Sequence, residues 1–213
     1  IYLFLLISVG SINNIELNNF NFSQIKKIKI SGLEETNNLL ILKEIKKLNL
    51  ENIHFINIDR IKKVFENNTL IQNYKISKIY PSTLDIEVVK TNFLAQIVSN
   101  GKLYLVGSNG KLSENKFSNK KLPYIFGKPD IDEFLEIKTL IDQSKFSFEQ
   151  IENLYFFPSR RWDIKLNGNI LLKLPNNYTI ESLDYLYEFL ENYNNKNFTV
   201  VDYRIDNQII LNE

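Results

Sequence analysis

The 213 residues carry 26 lysines and arginines against 25 aspartates and glutamates, a net charge of +1, with 44% hydrophobic and 24% charged residues. That composition suits one large or two small globular domains, and it supplies no broad positive field to gather nucleic acid or an anionic membrane. Cysteine is absent, which removes disulfides, thiolate metal sites and cysteine nucleophiles.

The chain starts at Ile1 and holds no methionine, so its N-terminus is expected to be incomplete or processed. The opening run "IYLFLLISVG" is free of charge, yet a spanning helix needs about 20 apolar residues. Three readings fit it: the distal half of a transmembrane helix, the end of a signal-peptide core, or a buried strand. No small-x-small cleavage pattern follows, which favours a retained anchor. A polar linker, Ser11 to Ser23, comes next.

"QIKKIKISG" predicts a strand with Ile28 and Ile30 alternating and Gly32 at its end. In "NNLLILKEIKKLNL", Ile41, Ile45 and Leu48 recur at helical spacing, as do Leu39 and Leu42. A second helix is predicted from Asn57 as N-cap, Asp59 in the first turn, and Ile58, Ile61 and Phe65 along one stripe. The lysine-rich clusters Lys26 to Lys29 and Arg60 to Lys63 read as solvated faces. "KISKIYPSTLDIEVVKTNFLAQI", Lys75 to Ile97, reads as a strand, a Pro81-Ser82 turn and a second strand that keeps going. In that second strand Leu84, Ile86 and Val88 face one way and Asp85 and Glu87 the other, which predicts one buried and one wet face. The order strand, helix, helix, strand, strand makes a domain: a small sheet covered on one side by two helices.

The remainder is strand-rich. "GKLYLVGSNGKLSE" predicts a hairpin with Leu105 facing Leu112. "LPYIFGKPDIDEFLEIKTLI" gives a short strand and a helix opened by Pro129-Asp130, with Ile131, Phe134, Leu135 and Ile141 apolar. In "RRWDIKLNGNILLKLP", Trp162, Ile164 and Leu166 alternate before the turn and Ile170, Leu172 and Leu174 after it. Only a three-residue loop, Asn167-Gly168-Asn169, pairs Leu166 with Ile170 and puts both apolar sets on one face, with Gly168 or Asn169 at positive φ. A helix capped by Thr179 follows, burying Leu183, Leu186, Tyr187 and Leu190. An Asp206-Asn207 turn is expected to fold a last strand, Gln208 to Leu211, back on Phe198 to Ile205.

Chemistry is sparse. His54 is the one histidine and has no nucleophile or metal-ligand spacing around it. Asp130, Asp132, Glu133 and Glu136 cluster at a helix start, where the dipole favours acids. "GSNGK" reads as a hairpin turn, not a phosphate cradle. Arg160 and Arg161 are either a charged edge flanking the Trp162 indole or a contact surface. Tyr185, Tyr187, Phe189 and Tyr193 read as core and amphipathic rim. No enzyme, cofactor or metal site is expected. A periplasmic hydrolase using His54 would need a nucleophile that the sequence lacks, and a nucleic-acid binder fails on net charge.

Several of these segments resemble the FtsQ/DivIB family of bacterial cell division proteins. "IKISG" is similar to the family's first strand and glycine. "IHFINIDRI" is similar to its "N-x-F-x-V-D" approach to the second helix through Phe55, Ile58 and Asp59. "YPSTLDIEVVKTNFLAQI" resembles its "W-P-x-T-L-x-I-x-V-x-E-R-x-P-x-A" signature through Pro81, Thr83, Leu84, Ile86, Val88 and Ala95. "LYLVGSNGKL" resembles the hairpin that follows. "RRWDIKLNGNILLKL" resembles its tryptophan hairpin, through Trp162, Ile164, Leu166, Gly168, Ile170 and Leu172. "VVDYRIDNQIIL" resembles its terminal "V-D-x-R" strand pair, through Val201, Asp202 and Arg204. Their order over the chain carries the resemblance. Lys90-Thr91 stand where the family tends to have Glu-Arg, Tyr80 replaces the usual tryptophan, and Ile205 sits where relatives often carry an aromatic.

The resemblance implies an α+β chain: a partial transmembrane helix over 1–12, a POTRA domain (βααββ) over 23–91, and a strand-rich C-terminal domain over 92–213. It implies a single-pass protein of the bacterial inner membrane, with its bulk in the periplasm at the division septum. The implied role is a non-enzymatic scaffold that binds an FtsB–FtsL pair, with FtsB adding a strand to the terminal edge. Tyr203, Arg204, Gln208, Ile209, Ile210 and Leu211 are the protein-binding residues that this mode implies. The alternative is another POTRA protein of outer-membrane assembly or secretion, which would carry a barrel or repeated POTRA units.

Overall fold

The computed structural model describes residues 23–114, 121–193, 198–205 and 208–212. The run of residues 1–12 and the Asp206-Asn207 turn lie outside them. No helix among the described residues is long and apolar enough to cross a membrane. The chain divides into two compact units, Ile1–Lys90 and Thr91–Glu213.

The first unit runs β1 (Lys27–Ser31), α1 (Glu35–Lys46), α2 (Ile58–Glu66), β2 (Ile71–Ile79) and β3 (Thr83–Lys90), the predicted order. β3 is central, parallel to β1 and antiparallel to β2. Its alternation works as read: Leu84, Ile86 and Val88 are buried, while Glu87 is exposed. Ile28 and Ile30 stand opposite Leu84 and Ile86, and Ile41, Ile45, Ile61 and Phe65 from the two helices close over that face. Asn57 caps α2 by accepting from the Arg60 amide at 3.3 Å. Two details differ from expectation. α1 stops at Lys46, so Leu48 packs from the turn beyond it, and Ile58 is exposed at the start of α2.

Gly32 ends β1 with φ +108°, and a Cβ there would sit 1.7 Å from the Val88 carbonyl oxygen. Only glycine lets β1 lie this close to β3 and turn away in that conformation.

The second unit runs β4 (Phe93–Ser99), β5 (Lys102–Gly107), β6 (Leu112–Glu114), β7 (Tyr124–Phe126), α3 (Ile131–Gln143), β8 (Ile151–Phe156), β9 (Trp162–Leu166), β10 (Leu171–Lys173), α4 (Ile180–Asn192), β11 (Val200–Ile205) and β12 (Gln208–Asn212). These strands form one mixed sheet in the order β12-β11-β10-β9-β8-β7-β4-β5-β6. The second strand of the Lys75–Ile97 stretch therefore does not keep going. β3 ends at Lys90, and after Thr91-Asn92 the chain pairs in the other sheet as β4. Period-2 alternation is blind to such a change, since both sheets use the same pattern.

One face of the large sheet is packed. Trp162, Ile164, Leu166, Leu172 and Val201 meet Phe134, Ile137, Ile141, Leu183 and Leu186 from α3 and α4. The Trp162 indole is fully covered, and truncating it would cost about 3–5 kcal/mol. The helix ends follow their sequence cues. Asp130 donates its amide to Glu133 Oε2 at 3.0 Å, and Thr179 and Ser182 bond reciprocally at 2.7 and 3.3 Å. The β9–β10 loop is the three-residue one: Leu166 donates its amide to Ile170 at 2.8 Å, and Gly168 and Asn169 have φ +90° and +71°. In the β5–β6 hairpin the loop is Ser108-Asn109-Gly110, closed by the Gly107 amide on the Lys111 carbonyl at 2.9 Å. That loop places Leu112 opposite Val106 and Ser113 opposite Leu105, one residue away from the Leu105–Leu112 facing read from the sequence. Counting turn glycines does not fix register when either of two closures is sterically allowed.

Candidate functional site

β12 is the last strand of the sheet. It pairs antiparallel with β11, Leu211 opposite Val201 and Ile210 opposite Asp202, and no described strand lies on its other side. Alternate residues of such a strand point backbone N–H and C=O outward, where only solvent or a further strand can satisfy them. Pleating splits its side chains. Ile209 packs against the core with Leu211 on the same side, whereas Gln208, Ile210 and Asn212 belong to the opposite face, against which none of the described helices packs. Ile210 and Leu211 are 48% and 40% exposed.

The register extends that uncovered face into a ladder. Phe126 stands opposite Tyr155, Tyr155 opposite Asp163, Asp163 opposite Lys173, Lys173 opposite Asp202 and Asp202 opposite Ile210. Aromatic rings occupy one end, alternating charges the middle, and an isoleucine the free edge. Phe126 and Tyr155 stack at 5.0 Å between ring centroids. A concavity of about 350 Å³ sits beside the ladder, lined by Tyr155, Phe157, Asp163, Lys165, Leu171 and Val200 among others.

The charges are mutually engaged. Arg204 donates through Nε to both oxygens of Asp202, at 2.8 and 3.0 Å, and its guanidinium holds the Asp202 carboxyl below the usual carboxylate range. Asp163 is 3% exposed, and burial pushes its carboxyl up even though Arg161 Nε lies 3.1 Å away. Arg161 also lies over the Phe157 ring at 4.3 Å, and Arg160 pairs with Glu133 at 2.8 Å. Both arginines before Trp162 are thus tied into this domain.

The expected binding residues divide three ways. Gln208, Ile209, Ile210 and Leu211 lie together on the edge strand. Arg204 lies next to them on β11, folded back onto Asp202. Tyr203 is 8% exposed and packs its ring on Tyr185 at 5.5 Å, so it points into the core and offers the edge no side chain. Phe126, Tyr155, Asp163 and Lys173 do not stand out as a surface in the sequence. The signal available is the polar half of "WDIKL"; the β8 segment "IENLYF" lacks the strict alternation that marks a strand.

The other chemical candidates resolve into structure. His54 is exposed and stacks on Tyr80 at 5.1 Å, and the acidic cluster at 130–136 serves the α3 cap and the Arg160 pair. Among the described residues no group of His, Asp and Glu is arranged to hold a metal.

Comparison with known proteins places both units. A POTRA domain model of FtsQ type matches residues 23–90, and a model of the C-terminal part of cell division protein FtsQ/DivIB matches residues 95–204. Cell division protein FtsQ of Rickettsia bellii is 25% identical over 199 residues, covering 88% of this chain and 72% of that protein. The FtsQ of Rickettsia felis is 24% identical over 194 residues, with the same coverage. The solved extracytoplasmic domain of DivIB from Geobacillus stearothermophilus matches half of this chain and 96% of its own length at 15% identity, with a TM-score of 0.34.

Proposed function

The chain belongs to the FtsQ/DivIB family of bacterial cell division proteins, and from that premise we propose that it is a non-enzymatic scaffold of the division complex. Residues 23–91 and 92–213 are its two extracytoplasmic domains in this reading, and residues 1–12 are the end of a spanning helix in the inner membrane. The partners are an FtsB–FtsL pair, and FtsB adds a strand beside β12. Arg204 and the Gln208–Leu211 strand take part in that contact, with Tyr203 supporting β11 from the core side.

One observation carries the strand-addition reading: β12 is the terminal strand of the sheet, with no described strand on its outer side and two half-exposed aliphatic side chains. The outer-membrane assembly alternative is set aside, because residues 95–204 match the C-terminal part of cell division protein FtsQ/DivIB.

The test is co-purification of the full chain with FtsB and FtsL, comparing wild type with Ile210→Pro. Proline removes an N–H and cannot sit within a paired strand, yet it is tolerated at a free edge. The expected outcome is a folded variant, by circular dichroism, that has lost FtsB. A folded proline variant that still retains FtsB would overturn strand addition at β12.

A further inference from the structure

The end of the first unit where the chain enters it carries an apolar patch that its own core does not use. Phe55 is 85% exposed, Tyr80 58% and Ile79 47%, and Ile58 is exposed as well. They come from two separate segments, the α1–α2 loop running into α2 and the end of β2 with the turn after it. The His54 ring stacks on Tyr80 at 5.1 Å, and Lys78 donates from Nζ to the His54 carbonyl at 3.2 Å. Phe55 stands almost fully in water while Ile53, two residues earlier, is fully buried, and exposed apolar side chains gathered at one end are what a contact surface offers.

The position of the patch points to its occupant. The Ile53 amide donates to the Ser23 carbonyl at 2.8 Å, so the first described residue is paired two positions from Phe55. The amides of Lys26 and Lys27 both bond the Ser82 carbonyl, which brings two further exposed lysines to the Tyr80–Ser82 turn. Arg60 adds a cation at the start of α2, against Glu51 and against Asp59, the latter paired with Lys62 at 3.4 Å. Only Ser11 to Phe22, twelve residues, separate Ser23 from the charge-free run Ile1–Gly10. Fully extended, that linker spans at most about 40 Å.

We infer that this end of the POTRA domain docks on the surface of the bilayer, with Phe55, Tyr80 and Ile79 in the headgroup–acyl boundary and Lys26, Lys27 and Lys78 among anionic phospholipid headgroups. The inference rests on reading Ile1–Gly10 as the end of a membrane span. The net charge of +1 gives no long-range attraction, so the tether supplies proximity and the patch supplies the contact. A tyrosine with an apolar body and a polar tip, next to lysines with long aliphatic stems, is the side-chain chemistry of that boundary.

The absence of cysteine makes the test direct. The full chain is reconstituted in vesicles of phosphatidylethanolamine with a minority of phosphatidylglycerol, and in phosphatidylcholine alone. It carries a single spin label at Leu5→Cys, Ile79→Cys or Val89→Cys. Val89 lies at the opposite end of β3 from the turn, roughly 20 Å away. The label at 79 is expected to prefer oxygen over a water-soluble nickel complex in the anionic vesicles. That preference should be lost when Phe55→Ser and Tyr80→Ser are added, and the label at 89 should stay aqueous. Both serines replace exposed side chains, so folding is retained. An aqueous signal at 79 with a buried signal at 5 would overturn the docking and leave the anchor standing. Aqueous signals at both positions would overturn anchor and docking together. A label at 79 that is immobilised, aqueous and dependent on protein concentration would assign the patch to a second copy of the chain and overturn the membrane contact.

Discussion

The two edges of the large sheet are built differently. β6 is three residues long and ends on Glu114, which faces Lys102 at 3.5 Å. β12 is five residues of glutamine, two isoleucines, leucine and asparagine, with no charge at all. The first unit guards its edges as well: β1 exposes Lys27 and Lys29, and β2 carries Lys75 and a register shift between Ile71 and Asn73. Short length, lysines and bulges are how natural sheets prevent unwanted pairing. β12 has one irregularity, between Asp202 and Ile205 of its neighbour, and is regular from Ile210 to Asn212. Among the described residues, three edges carry such guards and β12 does not, which is the asymmetry that the proposed strand addition would use.

That contrast can be broken from either side. The largest effect is expected inside the small sheet, at the β1–β3 contact: Gly32→Ala forces a Cβ into the Val88 carbonyl and should cost at least about 2 kcal/mol, read from the denaturant midpoint of the first unit. FtsB retention should be unchanged, and its loss would mean that the small sheet shares the partner site.

Next is Ile210→Lys, which installs on β12 the guard the other edges have. Folding stability should move by no more than about 0.5 kcal/mol, while partner binding weakens about tenfold, or about 1.4 kcal/mol. Unchanged affinity would remove Ile210 from the contact.

A third effect concerns pH. Asp202, held low by Arg204, contributes stability that is present above about pH 3.9 and lost as the pH falls through its lowered native value. Asp163, pushed up by burial, has the opposite sign. Its contribution is complete below about pH 3.9 and lost as the pH rises through its raised native value. Asp202→Asn should therefore lower stability at neutral pH and leave it unchanged in strong acid, whereas Asp163→Asn should remove the decline that sets in above about pH 3.9 and runs through its raised native value. Denaturant midpoints across pH distinguish the two, and parallel shifts would contradict the assignment. The smallest effect is the converse edge swap: Glu114→Val, which strips the β6 guard, should produce weak self-association at high concentration, detectable by analytical ultracentrifugation.

Much of the fold was legible because it depends on local rules. The Leu84-Ile86-Val88 alternation, the Asn57, Asp130 and Thr179 caps and the Asn167-Gly168-Asn169 loop are each settled within a few residues by sterics and hydrogen bonding. The edge strand at Gln208–Leu211 was legible for the same reason. Legibility failed where two local solutions were equally good. Leu105 and Leu112 could face each other or sit one residue out of step, and the strand after Lys90 could continue in its own sheet or join another.

By itself, the sequence determined the element order of the first unit, the caps, the two apolar faces and the family resemblance, because period, turn chemistry and composition act over short distances. Tertiary structure alone decided which strands became neighbours. That order put Asp163, Lys173 and Asp202 in line with Ile210 across four strands, and turned Tyr203 inward onto Tyr185. It also brought Phe55 and Tyr80, separated in the chain, to the end of the domain where Ser23 enters. These juxtapositions follow from long-range hydrogen-bond pairing, whose register depends on the whole sheet and is written in no single segment.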